Sequence, residues 1–329
     1  MTVKEIAKLC GVSVATISRV FNEPDKVRPE TREKVMEIAK KYGYTPHAVA
    51  KSLRTRKTGV YALTVMSGVE RVFEDSYASK FLKGAVKYFS ENGLKLIIDV
   101  FTKGDVIQYY KDFVLSKMVD GFILMDLKDD DQRVELLNSM DVPFVCVGRN
   151  NKNNFIFVDT DNFSGGFQAG QHLVEIGCSN VLFIGGDPNL PFEKERCQGF
   201  ENAFLSGQKK VVKEYCYYDD EIVKATVEKY LGTIDGIFCT SDVMAYAALR
   251  VCEREYIDVP VIGFDNILLS EIADLTTIDQ NIELVGEKVA KKLHFISLGK
   301  EVSSEVVETK LIVRGTKKFL ISKEGGRRV

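Results

Sequence analysis

Five charged side chains in this 329-residue chain stand directly after apolar runs: Asp126 after "VDGFILM", Arg149 after "PFVCVG", Asp187 after "NVLFIGG", Asp242 after "DGIFCTS", and Asp265 closing "VPVIGFD". Carboxylates and guanidinium groups at strand ends are hydrogen-bonding groups for a polar ligand. For catalysis, a sheet of this kind would add a nucleophile, an acid-base pair or a phosphate loop. The chain carries neither G-x-x-x-x-G-K-[ST] nor G-x-S-x-G, and its histidines 47, 172 and 294 stand apart from other reactive groups. The chemistry to expect is recognition, and no catalytic residues are assigned.

A second candidate lies near the front. In "GVSVATISRVFN", residues 11–22, a short amphipathic helix carries Arg19 outward. Residues 1–59 have a net charge of +7 and the remainder −9, so the front suits a polyanion and the body does not. The seven cysteines, at 10, 146, 178, 197, 216, 239 and 252, form no C-x-x-C pair, which predicts reduced thiols and no metal or cofactor. Charges in "MTVKEIAKLCG" and the lack of a long apolar run predict neither a signal peptide nor a membrane span, hence a cytoplasmic chain with no membrane partner.

The elements that position Arg19 follow from periodicity. "VKEIAKLC" sets Val3, Ile6, Ala7 and Cys10 on one face, and Gly11 ends the helix. Ser13 is placed to cap a second helix in which Ile17, Val20 and Phe21 point inward, leaving Val14, Ala15, Ser18 and Arg19 outside. "PETREKVMEIAKKYGY" opens on Pro29 and is expected to bury Val35, Ile38, Ala39 and Tyr42. Three short helices, the first two joined by a tight turn, read as a helix-turn-helix whose second helix enters the major groove.

Residues 3–59 resemble the DNA-binding domain of the lactose/galactose-repressor (LacI/GalR) family, and the likeness continues along essentially the whole chain. The resemblance implies that Val14 and Ala15 choose the half-site, while Thr16, Ser18 and Arg19 contact phosphates and bases. In "TPHAVAKSLRTRKTG" it implies a hinge helix whose Leu53 wedges into the minor groove, with Ala50 beside it and Lys51, Arg54 and Arg56 near phosphate. About eight residues do not hold a helix alone in water, so this one should form only on DNA. His47 replaces the usual asparagine, and Arg28 replaces a common capping serine.

The body reads as repeated βα units. Apolar runs such as "GVYALTVM", "LKLIIDVF" and "NVLFIGG" alternate with amphipathic stretches such as "SKFLKGAVKYFSENG". The expected fold class is α/β with two doubly wound parallel-sheet subdomains behind a three-helix head; the resemblance implies the hinge helix between them and a periplasmic-binding-protein-like core. The expected boundaries are 1–45 for the head and 46–58 for the hinge. The core then divides into 59–158 with 281–305 and 159–280 with 306–319, followed by a frayed tail, 320–329.

Ligands of open sheets sit beyond the carboxyl ends of the strands. The resemblance adds Arg196 in "EKERCQGF", holding effector hydroxyls opposite Asp265. It also implies Tyr77 and Phe192 as pocket aromatics, Ser241 at a position often occupied by asparagine, and Gln280 and Ile282 at the crossover "LTTIDQN". Asp242 reads more readily as the N-cap of "VMAYAALRVCE" than as a ligand contact. "VETKLIVRGT" is expected as the last strand. Gly148, where the family often has aspartate, and "VDTDNFSGG" are similar to the maltose-repressor branch. A homodimer on a palindromic operator, switched by a small-molecule effector of the sugar class, is the implied function. The alternative is a regulator that depends on a corepressor or partner protein and responds to a sugar phosphate or other metabolite. No leucine heptad follows residue 319, so tetramers are not expected.

Overall fold

The computed structural model describes residues 1–22, 24–44, 57–65, 76–101, 103–152, 154–205 and 210–315. The chain divides into two units, residues 1–59 and 60–329. His47, Ala50, Lys51, Leu53 and Arg54, and the tail from 316 onward, lie outside the described residues.

The first unit contains α1 (Val3–Cys10), α2 (Val14–Asn22) and α3 (Pro29–Lys41). Thr2 and Glu5 form a reciprocal capping box at the start of α1, and Gly11 ends it with φ +69°, a left-handed value that favours glycine. Ser13 Oγ accepts from Thr16 N at 3.1 Å, capping α2. Ile6, Cys10, Ile17, Val20 and Val35 form one small core. Tyr42, expected inside, is exposed. Helix α3 stops at Lys41 and Gly43 turns the chain, so that Tyr44 instead packs on this core, edge-on to Phe21 with ring centroids 6.0 Å apart. Arg28 holds the N-cap position of α3 without a side-chain hydrogen bond.

The second unit holds two six-stranded sheets. The first contains β1 (Val60–Val65), β2 (Lys95–Val100), β3 (Phe122–Leu124), β4 (Phe144–Val147), β5 (Phe157–Thr160) and β11 (Glu305–Val307), in the order β11-β5-β4-β3-β1-β2. The second contains β6 (Asn180–Gly185), β7 (Lys210–Tyr215), β8 (Gly236–Cys239), β9 (Val261–Phe264), β10 (Thr276–Asp279) and β12 (Lys310–Ile312), in the order β12-β10-β9-β8-β6-β7. Apart from β12, which runs antiparallel to β10, the described strand pairs are parallel. The expected single last strand is therefore two short ones, β11 and β12, each closing a different sheet.

Alternate strand residues face opposite layers. In β1, Tyr61 and Leu63 join a core with α4 (Ser76–Glu91) and α12 (Ile282–Ser297), whereas Ala62 joins one with α5 (Val106–Ser116) and α6 (Gln132–Ser139). The second sheet is covered by α7 (Asn162–Glu175) and α8 (Pro191–Ala203) on one face, and by α9 (Asp220–Tyr230) and α10 (Asp242–Arg254) on the other. A short α11 (Leu268–Ile272) follows β9. The chain passes between sheets after β5, after β10 and between β11 and β12, so β5 carries the first subdomain to Thr160 and β11 returns it to Val307. All seven cysteines are buried and unbridged.

Candidate functional site

Helix α2 carries the five residues singled out in the head. Val14, Ala15 and Arg19 are exposed, while Thr16 and Ser18 are half-buried. The Thr16 hydroxyl lies 2.9 Å from Ser13 Oγ, so it is engaged in the cap at the helix start. This leaves an apolar pair and a guanidinium on one helical face, the residue types that read thymine methyls and guanine edges in a major groove.

The second site lies where the two sheets point their carboxyl ends at each other. Arg196, in α8, is its centre. Although 6 % exposed, the guanidinium is satisfied by neutral acceptors: Nε donates to Asn162 Oδ1 at 2.9 Å, one terminal nitrogen to the Thr240 carbonyl at 2.8 Å, and the other to Gln280 Oε1 at 3.4 Å. Its plane lies over the Phe264 ring, 3.8 Å from the centroid, with Phe192 at 4.8 Å on another side. Helix α7 can approach α8 at this point because residue 166 is glycine; a Cβ there would stand 2.1 Å from the Arg196 carbonyl oxygen.

Gln280 joins the subdomains. It accepts from Thr160 Oγ1 at 3.1 Å as well as from Arg196, and its amide nitrogen donates to the Asp265 carboxylate. Around this chain stand buried acids. Burial raises Asp159 to about 6 even though Arg149 beside it pulls the other way. Burial also raises Glu193, which accepts from Tyr218 Oη at 2.6 Å and Thr240 Oγ1 at 2.9 Å. Tyr77 belongs to the same neighbourhood: burial, then the nearby Asp265 carboxylate, push its phenol well above the usual tyrosine range, and Arg196, Asp159 and Asp126 also act on it.

Polar ties cross the cleft. The Arg149 fork meets Glu195 at 3.1 and 2.8 Å, and lies 3.6 Å from Asp159. Lys194 pairs with Asp129 at 3.1 Å, and Lys80 Nζ donates to the Asn266 carbonyl.

The structure thus brings together Tyr77, Asp126, Arg149, Phe192, Arg196, Asp265 and Gln280. Ser241, expected in the pocket, is the N-cap of α10, accepting from Met244 N at 3.2 Å. Asp242 is accordingly not that cap. It is the first helical residue, fully buried, and accepts from Ile267 N and Thr277 Oγ1, which ties α10 to the ends of β9 and β10. The Asp187 carboxylate is occupied by Asn189 in its own turn. Sequence reasoning missed Asp159, Asn162, Glu193, Thr240 and Phe264; the polar run "VDTDN" and the residues flanking Ser241 and Asp265 were the available signals.

Among the described residues no group of histidine, cysteine and carboxylate side chains is arranged to hold a metal, and no helix is long and apolar enough to cross a membrane.

Residues 2–47 match the profile of bacterial regulatory proteins of the lacI family, and residues 71–294 match that of the periplasmic binding protein domain. The HTH-type transcriptional regulator CelR of Thermobifida fusca is 32 % identical over 330 residues, covering 95 % of this chain and 97 % of the relative. MalR of Streptococcus pneumoniae is 27 % identical, covering 81 % and 84 %. Among solved structures, a CelR–cellobiose complex superposes with TM-score 0.73 at 30 % identity, covering 95 % of this chain and 99 % of the other. The lac repressor dimer bound to operator and anti-inducer superposes with TM-score 0.83 at 21 % identity, covering 96 % and 98 %, and so shares the fold. A helix-turn-helix head joined to a two-sheet ligand cleft, with this likeness along nearly its full length, makes the chain a transcriptional regulator of the LacI family.

Proposed function

We propose that the protein is a homodimeric repressor whose affinity for a palindromic operator is set by a neutral saccharide held between the two core subdomains. The observation that carries the effector class is the charge balance of the cleft. Asp126, Asp159, Glu193, Glu195 and Asp265 surround it, while Arg196 and Arg149 are already bound by protein acceptors. A phosphate group entering here would meet several carboxylates, while Arg149 is committed to Glu195 and each nitrogen of Arg196 already donates to a protein acceptor. Hydroxyl groups, which both donate and accept, suit the Asp265 carboxylate and the Gln280 amide. This favours a sugar over the sugar phosphate of a corepressor mechanism, and one similar regulator has been solved with cellobiose.

Two copies on DNA would place two α2 helices in successive major grooves, with Leu53 of each hinge at the central step. Ligand can bias operator affinity only through its differential affinity for two arrangements of the core. The role is binding without catalysis, in the compartment that holds the chromosome.

The test is a thermal-shift screen with cellobiose, maltose, glucose and glucose 6-phosphate, followed by operator titration with any hit. A ligand at 1,000 times its Kd adds about 4 kcal/mol to stability. A neutral disaccharide that raises the midpoint and changes operator affinity supports the reading. A response to glucose 6-phosphate alone overturns it in favour of the corepressor mechanism.

A further inference from the structure

Two consecutive residues at the end of β9, Asp265 and Asn266, have φ values of +116° and +52°. Asparagine tolerates the left-handed region; aspartate at +116° does not do so without surrounding restraint. The strain has a use. It turns the chain so that the Asp265 carboxylate receives the Gln280 amide, in the neighbourhood of Tyr77. What holds the turn lies mostly on the side away from Asp265. Asp242 Oδ2 accepts from Ile267 N at 2.8 Å, and Thr277 Oγ1 accepts from Asn266 N at 3.3 Å. Arg314, which follows β12, donates to Asn266 Oδ1 at 2.7 Å and to the Leu275 carbonyl at 3.1 Å. From the opposite subdomain, Lys80 donates to the Asn266 carbonyl.

We propose that Arg314 is a positioning residue of the effector cleft: by gripping Asn266 it keeps Asp265 and Asn266 in the left-handed turn and so aims the Asp265 carboxylate at the ligand. Its significance for effector binding rests on the saccharide reading above, while its hold on the turn does not. The guanidinium fork spans an amide oxygen and a main-chain carbonyl at once. A lysine ammonium at the end of a flexible stem lacks that fixed geometry.

The test compares Arg314→Lys, Arg314→Ala and Asn266→Ala with the unaltered full-length chain. Arg314→Ala also removes a cation that offsets the buried Asp242 carboxylate, so it can destabilise the fold for another reason. Asn266→Ala leaves that cation in place and severs the grip, but alanine also tolerates φ +52° less well than asparagine, so Arg314→Lys, which keeps Asn266, is the deciding variant. The first readout needs no ligand: amide hydrogen exchange of the peptide spanning 265–267, against peptides from the interior of α10. We expect exchange there to quicken about tenfold or more in Asn266→Ala and Arg314→Lys, with α10 unchanged. Unchanged protection of 265–267 overturns the proposal. The second readout is titration with cellobiose and with maltose, alongside operator binding without sugar. Weaker sugar binding with intact sugar-free operator affinity is expected, whereas parallel loss of both identifies a merely structural role and overturns the proposal. If neither sugar binds the unaltered protein, hydrogen exchange alone decides the role of Arg314, and the wider screen above decides the saccharide reading.

Discussion

Arg149, at the end of β4 in one subdomain, and Glu195, in α8 of the other, meet as a two-pronged ion pair across the cleft, at 3.1 and 2.8 Å. Both side chains keep about a quarter of their surface in solvent, at 23 % and 27 %. Such a partly exposed pair contributes about 1 kcal/mol. Glu195→Gln should therefore lower the thermal midpoint of the effector-free protein by a few degrees and favour an open cleft. Calorimetry and solution scattering would read the two effects; no change in either would show that the pair does not hold the subdomains together.

Arg196→Lys should abolish the sugar response while leaving sugar-free operator binding within about twofold. One ammonium does not reproduce a plane that bonds three acceptors and stacks on Phe264. Operator titration with and without the identified sugar gives the answer, and a normal response would remove Arg196 from the binding machinery.

Gly166→Ala should act on the same arginine without touching any ligand. Its methyl would collide with the backbone of α8 at Arg196, where neither partner is a flexible side chain tip. Overpacking of this sort costs about 1–3 kcal/mol and shifts the helices. The variant should unfold at lower urea and bind sugar poorly; wild-type values for both would mean that α7 and α8 separate freely.

Stability should decline as pH rises through the region near 6. Asp159 has a folded value of about 6, above the ordinary aspartate value, so the folded protein holds this proton more tightly than the unfolded chain does. Its contribution is therefore greatest below the ordinary value of about 3.9 and is lost by the time pH passes the folded one. Asp242, raised by burial to about 6, acts in the same direction. Asp159→Asn keeps an acceptor for Thr160 N and should flatten the decline, adding roughly 2 kcal/mol at pH 7. Urea melts of both proteins between pH 4.5 and 7.5 measure this. A parallel pair of curves would show that Asp159 titrates normally.

Arg19→Ala should weaken operator binding by about 1–3 kcal/mol with the head's melting unchanged, because the side chain is exposed. Competition against nonspecific DNA separates base reading from simple charge: equal losses on both would assign Arg19 to phosphate only.

The head was legible because each helix declares itself locally, through apolar spacing, Ser13 and Gly11. Tyr42 was misplaced because helical periodicity extrapolates past Lys41, where the chain turns. Strands buried on both faces, such as "NVLFIG" in β6, show as continuous apolar runs. β7, "KVVKEY", escaped notice because it is an edge strand with solvent on one side and charges in its sequence. The cleft was half legible. Arg196 and Asp265 stand out by type and position, but Asn162 and Thr240 matter only because folding carries them to a guanidinium 34 and 44 residues away. A buried acid such as Glu193 has no periodic signature at all.

The interleaving of the two sheets sets an order of manufacture. The DNA-reading helices are complete within the first 41 residues, whereas the edge strands β11 and β12 that finish both sheets come from residues 305–312. A ribosome therefore makes the three helices of the head long before either half of the sensor is whole. A message truncated ahead of codon 305 would encode the head attached to two incomplete sheets.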